Sequence, residues 1–141
     1  MLIGISVMAQ QGIKWNYTAK KISGDIYDVH LTARIANPWH LYSQHMKEGG
    51  PIPTSIRFAS DSLLVLVGVV QEKGNPVTMH EQVFNVDVTY YTDSVDFVQR
   101  VKLKKPLPGA KTSISGTIEF MICTDEQCLP PATVSFKLPL E

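Results

Sequence analysis

Cys123 and Cys128 are the residues of this chain whose type and spacing point most directly to chemistry. Four polar residues, Thr124-Asp125-Glu126-Gln127, separate them, and Leu129-Pro130-Pro131 follows. A loop of this length between two strands sets its flanking residues opposite one another. Opposed residues of antiparallel strands have Cα atoms about 4.5 to 5.5 Å apart. That lies inside the window of about 4.4 to 6.8 Å that a disulfide needs. The spacing therefore permits a bond. Its value as a staple is small: closing six residues gives roughly 2 kcal/mol on the chain-entropy formula, against about 4.7 for a 100-residue loop. A bond at the end of a hairpin also lies within reach of a partner thiolate. These points favour disulfide exchange over stapling, and leave a structural disulfide and a metal site open.

The local charge says how such an exchange would run. Asp125 and Glu126 lie between the cysteines, and no Lys or Arg is near in sequence. Neighbouring carboxylates disfavour a thiolate. The pair does not read as a self-activated nucleophile. Asp125 and Glu126 either tune the thiols or serve as turn residues, a role Asp favours. His40, His45 and His80 would be the other ligands of a tetrahedral zinc site. None shows ligand spacing near the cysteines, so solvated histidines are the better reading. No metal or other cofactor is expected.

The elements that must hold the pair follow a period of two. Tyr27, Val29, Leu31, Ala33 and Ile35 alternate with Asp28, His30, Thr32 and Arg34. Phe84, Val86, Val88 and Tyr90 repeat the pattern, as do Val95, Phe97, Val101 and Leu103, interrupted by Gln99. Ile114, Ile118, Phe120 and Ile122 lead to Cys123 in the same way. Shorter strands are expected at 14–19, 56–59, 63–70 and 133–138. The continuous apolar run Leu63 to Val67 is expected to be buried on both faces. Turn signals at Ser23-Gly24-Asp25, Gly49-Gly50-Pro51, Gly74-Asn75-Pro76, Thr92-Asp93-Ser94 and Pro106 to Gly109 separate these runs. Pro130 and Pro131 should end pairing at a sheet edge. About eight short strands and no amphipathic helix indicate an all-β protein, an antiparallel β-sandwich forming a single domain, with a barrel as the alternative.

Bulk properties agree. The chain has 141 residues, 44% of them hydrophobic, enough for one domain with its own core. Thirteen basic and thirteen acidic residues cancel, which gives no electrostatic reason to expect nucleic acid or an anionic membrane as partner. No apolar run is long enough to span a bilayer. Residues 1–10 are expected to be a signal-peptide remnant. They are largely apolar and end in the small-residue pattern Val7-Met8-Ala9, although a basic leading segment is missing. Residues 11–141 would then form the mature domain outside the cytosol, where one disulfide can persist. Lys102, Lys104 and Lys105 read as a solvated strand end.

Three stretches now carry a resemblance: Asn37-Pro38-Trp39-His40-Leu41-Tyr42-Ser43-Gln44, Gly49-Gly50-Pro51-Ile52-Pro53-Thr54, and Cys123 to Pro131. Over roughly Lys14 to Leu138 the chain resembles the N-terminal periplasmic domain of DsbD-type thiol–disulfide interchange proteins, in their Bacteroidetes-like form. The cysteine–Pro-Pro element is the specific part. The resemblance implies an immunoglobulin-like fold and a redox-active disulfide, Cys123–Cys128. It implies electrons received from a thioredoxin-like domain and passed to periplasmic acceptors. These would be disulfide isomerases or thioredoxin-like proteins, including those that serve cytochrome c maturation. Cys128 resembles the cysteine that carries the mixed disulfide, with Cys123 resolving it. The family shields its disulfide with a cap loop bearing an acidic pair and an aromatic. The matching stretch here is Met79 to Phe84, where Glu81 and Phe84 are chemically similar. Trp39 and Tyr42 either line the exchange site or serve as core aromatics. The chain departs from better-studied members in having four residues between its cysteines rather than five. It also lacks their membrane and C-terminal domains, so it is expected to be an excised fragment or a stand-alone version. A membrane would enter only through such a downstream domain. The competing readings are an immunoglobulin-like binding or adhesion module with an inert disulfide, and a structural zinc domain.

The acidic setting generates a first prediction. In the isolated, reduced domain both thiols should alkylate slowly at neutral pH, accelerating only above about pH 8. Rapid alkylation that persists below pH 7 would show a self-activated thiol and refute this.

Overall fold

A computed structural model describes residues 11–82, 84–104 and 112–140. The expected signal-peptide remnant, the Pro106–Gly109 turn, Lys105 and Val83 lie outside the described residues. Eleven strands and no helix are found among those described: β1 (Ile13–Ser23), β2 (Ile26–Ile35), β3 (His40–Tyr42), β4 (Ser55–Phe58), β5 (Leu64–Lys73), β6 (Val77–Glu81), β7 (Val86–Tyr91), β8 (Asp93–Leu103), β9 (Thr112–Phe120), β10 (Ile122–Cys123) and β11 (Ala132–Leu140). All pair antiparallel, in sheets ordered β1-β2-β8-β5, β10-β3-β7-β6 and β11-β9-β4. This is the all-β antiparallel sandwich expected from the alternation, of the immunoglobulin-like kind that the resemblance implied. The three strands beyond the anticipated eight are short or belong to runs read as continuous. Two of the chain's changes of sheet pass through a single residue: Thr92, between β7 and β8, and Met121, between β9 and β10.

The alternating residues meet in one core. Val29, Leu31, Ala33, Val95, Phe97 and Val101 from the first sheet face Ile114, Ile118, Phe120 and Phe136 from the third. Trp15 bridges the layers, with its ring 6.0 Å from Phe97 and 5.4 Å, edge-on, from Phe120. Gly116 interrupts the apolar alternation of β9 because its neighbours need the room. A Cβ there would lie 2.7 Å from Phe136 Cζ and collide with the Arg57 carbonyl. Gln99 keeps the inward phase of β8 although it is polar. Its side-chain amide lies within bonding distance of the Val67, Gly68 and Arg100 carbonyls. Buried polar groups are tolerated when so satisfied.

The expectation for Leu63 to Val67 is corrected. Val65, Leu66 and Val67 of β5 are exposed, and Val69 is 70% exposed. The reason is position. β5 is the edge strand of its sheet, and its pairing with β8 slips between Val67 and Gln71, where Gly68 has φ 74°. A bulge bends an edge strand and disrupts its ladder. An apolar run alone cannot distinguish a central strand from such an edge. Among the described residues the cis peptide bond is Asn37–Pro38.

Beyond its bulge β5 becomes polar, and there it clamps two sheets together. The Glu72 carboxylate accepts bonds from Ser43 Oγ (2.8 Å), Gln44 N (2.7 Å), Gln44 Nε2 (3.1 Å) and Tyr91 Oη (2.7 Å). Ser43 follows β3 and Tyr91 ends β7, so one carboxylate fixes both strands against β5. Burial alone pushes the Glu72 carboxyl up, but these donors outweigh it and hold it below the ordinary carboxylate range. A depressed folded-state value stabilises the fold above the unfolded value and loses that contribution as pH falls through the folded one. Glu72→Gln should therefore cost about 1–3 kcal/mol at pH 7. The gap should shrink as the pH drops below about 4. Urea midpoints of both proteins across pH 3–7 check this, and a pH-independent gap would contradict it.

Candidate functional site

The site begins with strand alternation just after Met121, where the chain passes from β9 to β10. Ile122 is buried in the main core. Successive strand side chains point to opposite faces, so Cys123 is sent to the other face of the β10-β3-β7-β6 sheet. Cys123 pairs with His40, and Ile122 with Leu41. Leu41 in turn pairs with Tyr91, and Tyr42 with Tyr90. Leu41, Tyr91 and Ile122 thus face the core, while Cys123, His40, Tyr42 and Tyr90 share the outer face. β6 extends that face: Val77 opposes Tyr90, and Met79 opposes Val88.

Cys123 and Cys128 are joined by a disulfide with Cα atoms 4.0 Å apart. They form an isolated antiparallel bridge. Leu129 N donates to Ile122 O on one side (3.0 Å) and Thr124 N to Gln127 O on the other (2.7 Å). The cysteines occupy the non-hydrogen-bonded position between these bonds, where opposed backbones approach most closely. The pair is nonetheless not part of an extended hairpin, because β11 pairs with β9 instead. Its four-residue loop is organised by Thr124, whose Oγ1 accepts from Glu126 N and Gln127 N (both 3.1 Å).

The two cysteines differ in environment. Cys123 is 2% exposed and packs with Tyr42 and Val88, flanked by Met46, Val86, Tyr90 and Met121. Cys128 is exposed on the loop. Beside Cys123 the His40 ring stacks on Tyr90, with centroids 4.1 Å apart and planes 9° from parallel. Tyr90 Oη donates to Met79 Sδ at 3.4 Å. Burial lowers the His40 imidazole from its usual range, and Asp125 partly offsets this. Burial pushes the Tyr42 phenol up to about 12, with the charges of Glu81, Tyr90 and Asp125 adding to the shift. The charges of Glu81 and Asp125 therefore both act on this face.

The residues singled out in the sequence divide clearly. Tyr42 joins the cysteines. Trp39 does not: it lies in the main core, 7% exposed, with its indole against Gly12. It directly precedes β3 and shares the main core with Leu41. Asp125 and Glu126 are exposed loop residues, and the Asp125 charge reaches His40 and Tyr42. The stretch expected as a cap forms β6 and the turn after it, on the sheet that bears the disulfide. Glu81 acts on Tyr42, and Phe84 stands 38% exposed in the turn. His80 is engaged by Asp87 (3.0 Å) and Asn85 (3.1 Å). Among the described residues no three His, Cys, Asp or Glu side chains are grouped to hold a metal ion. The sequence set His40 beside the cysteines only as a zinc ligand and Met79 only within the cap stretch, and it gave Tyr90 no place at the disulfide. The Trp-His-Leu-Tyr alternation already places His40 with Tyr42, but its pairing with Cys123 spans 83 residues (123 − 40) and is a tertiary fact.

Comparison with known proteins follows this geometry. Residues 9–140 match the family described as thiol:disulfide interchange protein DsbD, N-terminal. A search of curated proteins finds no match. Among solved structures the fold is similar to the N-terminal periplasmic domain of ScsB from Proteus mirabilis, with TM-score 0.63 and 18% identity. That alignment covers 96% of this chain and 49% of the other, so this chain spans about half the length of that domain. The all-β sandwich and its Cys123–Cys128 disulfide fit this match, and the chain belongs to the DsbD N-terminal family of thiol:disulfide interchange domains.

Proposed function

We propose that this domain relays two electrons at a time, from a thioredoxin-like donor to extracytoplasmic disulfide oxidoreductases, through Cys123 and Cys128. The observation that carries this reading is the unequal burial of two bonded cysteines, Cys123 enclosed and Cys128 exposed. An incoming thiolate can approach Cys128 Sγ, whereas Cys123 is suited to be the leaving and resolving sulfur. Exchange proceeds through a mixed disulfide. The donor's thiolate attacks Cys128, the Cys123–Cys128 bond breaks, and Cys123 departs with the electron pair. The donor's second thiol then releases Cys128, leaving the domain reduced and the donor oxidised. Toward an acceptor the same steps run in reverse, so each cycle transfers two electrons and needs no bound cofactor.

The surroundings fit a site that works inside a complex. Asp125, Glu126 and Glu81 make it acidic, which opposes a free thiolate. Tyr42, Glu81 and Phe84 are the residues proposed to shape and shield it, with Phe84 placed on the turn that would have to move or make contact. Localisation outside the cytosol, and a membrane or thioredoxin-like domain elsewhere in the protein, belong to the same proposal.

Trapping tests it. Cys123→Ala should form a mixed disulfide through Cys128 with a thioredoxin-like partner carrying one cysteine, detected on non-reducing gels. Cys128→Ala should trap far less, because its remaining thiol is buried. The native disulfide should equilibrate with glutathione buffers. If neither variant traps and the bond resists reduction below about −300 mV, the disulfide is an inert staple.

A further inference from the structure

We infer that His40 is the acid–base partner of Cys123, taking the thiol proton when Cys123 resolves a mixed disulfide and returning it in the reverse step. The inference rests on the reading that Cys128 carries the mixed disulfide. Cys123 has a practical difficulty in that role. It is buried among Tyr42, Val88, Met46, Val86, Tyr90 and Met121, none of which is a good base at neutral pH. To attack, a thiol must first lose its proton. Solvent reaches Cys123 poorly, and the nearby carboxylate Asp125 stands on the exposed loop.

His40 is placed for the task. It is the residue directly opposite Cys123 in the β10–β3 register, on the same face of the sheet. Its ring is held flat against Tyr90 at 4.1 Å, so its orientation is fixed before any partner arrives. The groups that face it are Cys123 from β10, Tyr42 on its own strand, Tyr90 from β7 and Asp125 from the loop; Glu81 of β6 reaches the same face through Tyr42. None is a cation. Burial favours the neutral imidazole, and Asp125 stabilises the imidazolium that forms when the proton arrives. A neutral base that becomes a tolerated cation is what the step asks for.

The step balances. In the mixed disulfide a ring nitrogen of His40 takes the proton from Cys123 Sγ. Cys123 Sγ bonds to Cys128 Sγ, and the bond from Cys128 to the acceptor sulfur breaks. The acceptor sulfur leaves with the electron pair and is protonated from the imidazolium or from solvent. The domain's dithiol is oxidised by two electrons and the acceptor disulfide is reduced by two.

A chromogenic aromatic disulfide, dithiobis-nitrobenzoate, separates this step from the first. Mixed with the reduced 141-residue chain, it releases one coloured thiolate when Cys128 attacks and a second when Cys123 resolves. His40→Phe keeps a ring against Tyr90 but no nitrogen, and His40→Gln is the second variant. The second release at pH 7 should slow by about 10-fold or more in each variant, general acid–base catalysis being worth about 100-fold or more. The first release should be unchanged. In the wild type the second-release rate should bend downward as His40 protonates, at a pH below the ordinary imidazole range because burial disfavours the imidazolium, and the bend should vanish in the variants. A slowing of less than about 10-fold, or a wild-type profile without that bend, overturns the inference. The wild-type profile decides even if a variant fails to fold. Failure of the relay itself would look different, as loss of the first release and of trapping by a thioredoxin-like partner.

Discussion

The burial of Ile122 is the constraint on which the site depends. Its side chain belongs to the main core, and its carbonyl accepts the Leu129 amide. Those two interactions fix the phase of β10 and bring the chain back on itself. With the phase fixed, Cys123 has to point to the opposite face, and Cys128 has to lie across from it. A one-residue slip would exchange every side chain between faces. It would carry Cys123 into the core and Ile122 to the outer face. The disulfide is therefore oriented by hydrophobic burial on the other side of a single strand.

The sheet that carries the site is held from behind in the same manner. Leu41 and Tyr91 face the core beside Ile122, and Glu72 ties Ser43, Gln44 and Tyr91 to β5. Short strands such as β3 and β10 have few ladder bonds of their own. The carboxylate clamp and the core contacts supply what they lack. This leaves the outer face free to carry residues chosen for chemistry: a buried and an exposed cysteine, a stacked histidine, a phenol with a strongly raised pKa, and two carboxylates acting on that phenol. Folding and chemistry are divided between the two sides of one sheet.

That division explains the character of the exchange. The acidic loop and the apolar pocket both oppose a free thiolate. Both thiols of such a site stay largely protonated at neutral pH, which is why the proposed exchange is assigned to a complex with a partner. The family match supplies the reaction class, and the asymmetry of the cysteines supports the proposed direction of attack within it.

Much of this was written in the chain. Period-two alternation located the long strands, including the run from Ile114 to Ile122 that leads into Cys123. The cysteine spacing permitted the bond, and the Pro-Pro and Trp-His-Leu-Tyr stretches identified the family. Alternation is a local property, set by backbone geometry, so it survives in sequence. What only the tertiary structure decided is non-local. The exposed edge of β5 depends on strand order, which a run such as Leu63 to Val67 does not carry. Trp39 entered the core because Gly12 leaves space for its indole. His40 met Cys123 through a pairing between β3 and β10, strands far apart in the chain. Which cysteine is buried followed from that same packing, since exposure belongs to the assembled surface and not to the residue.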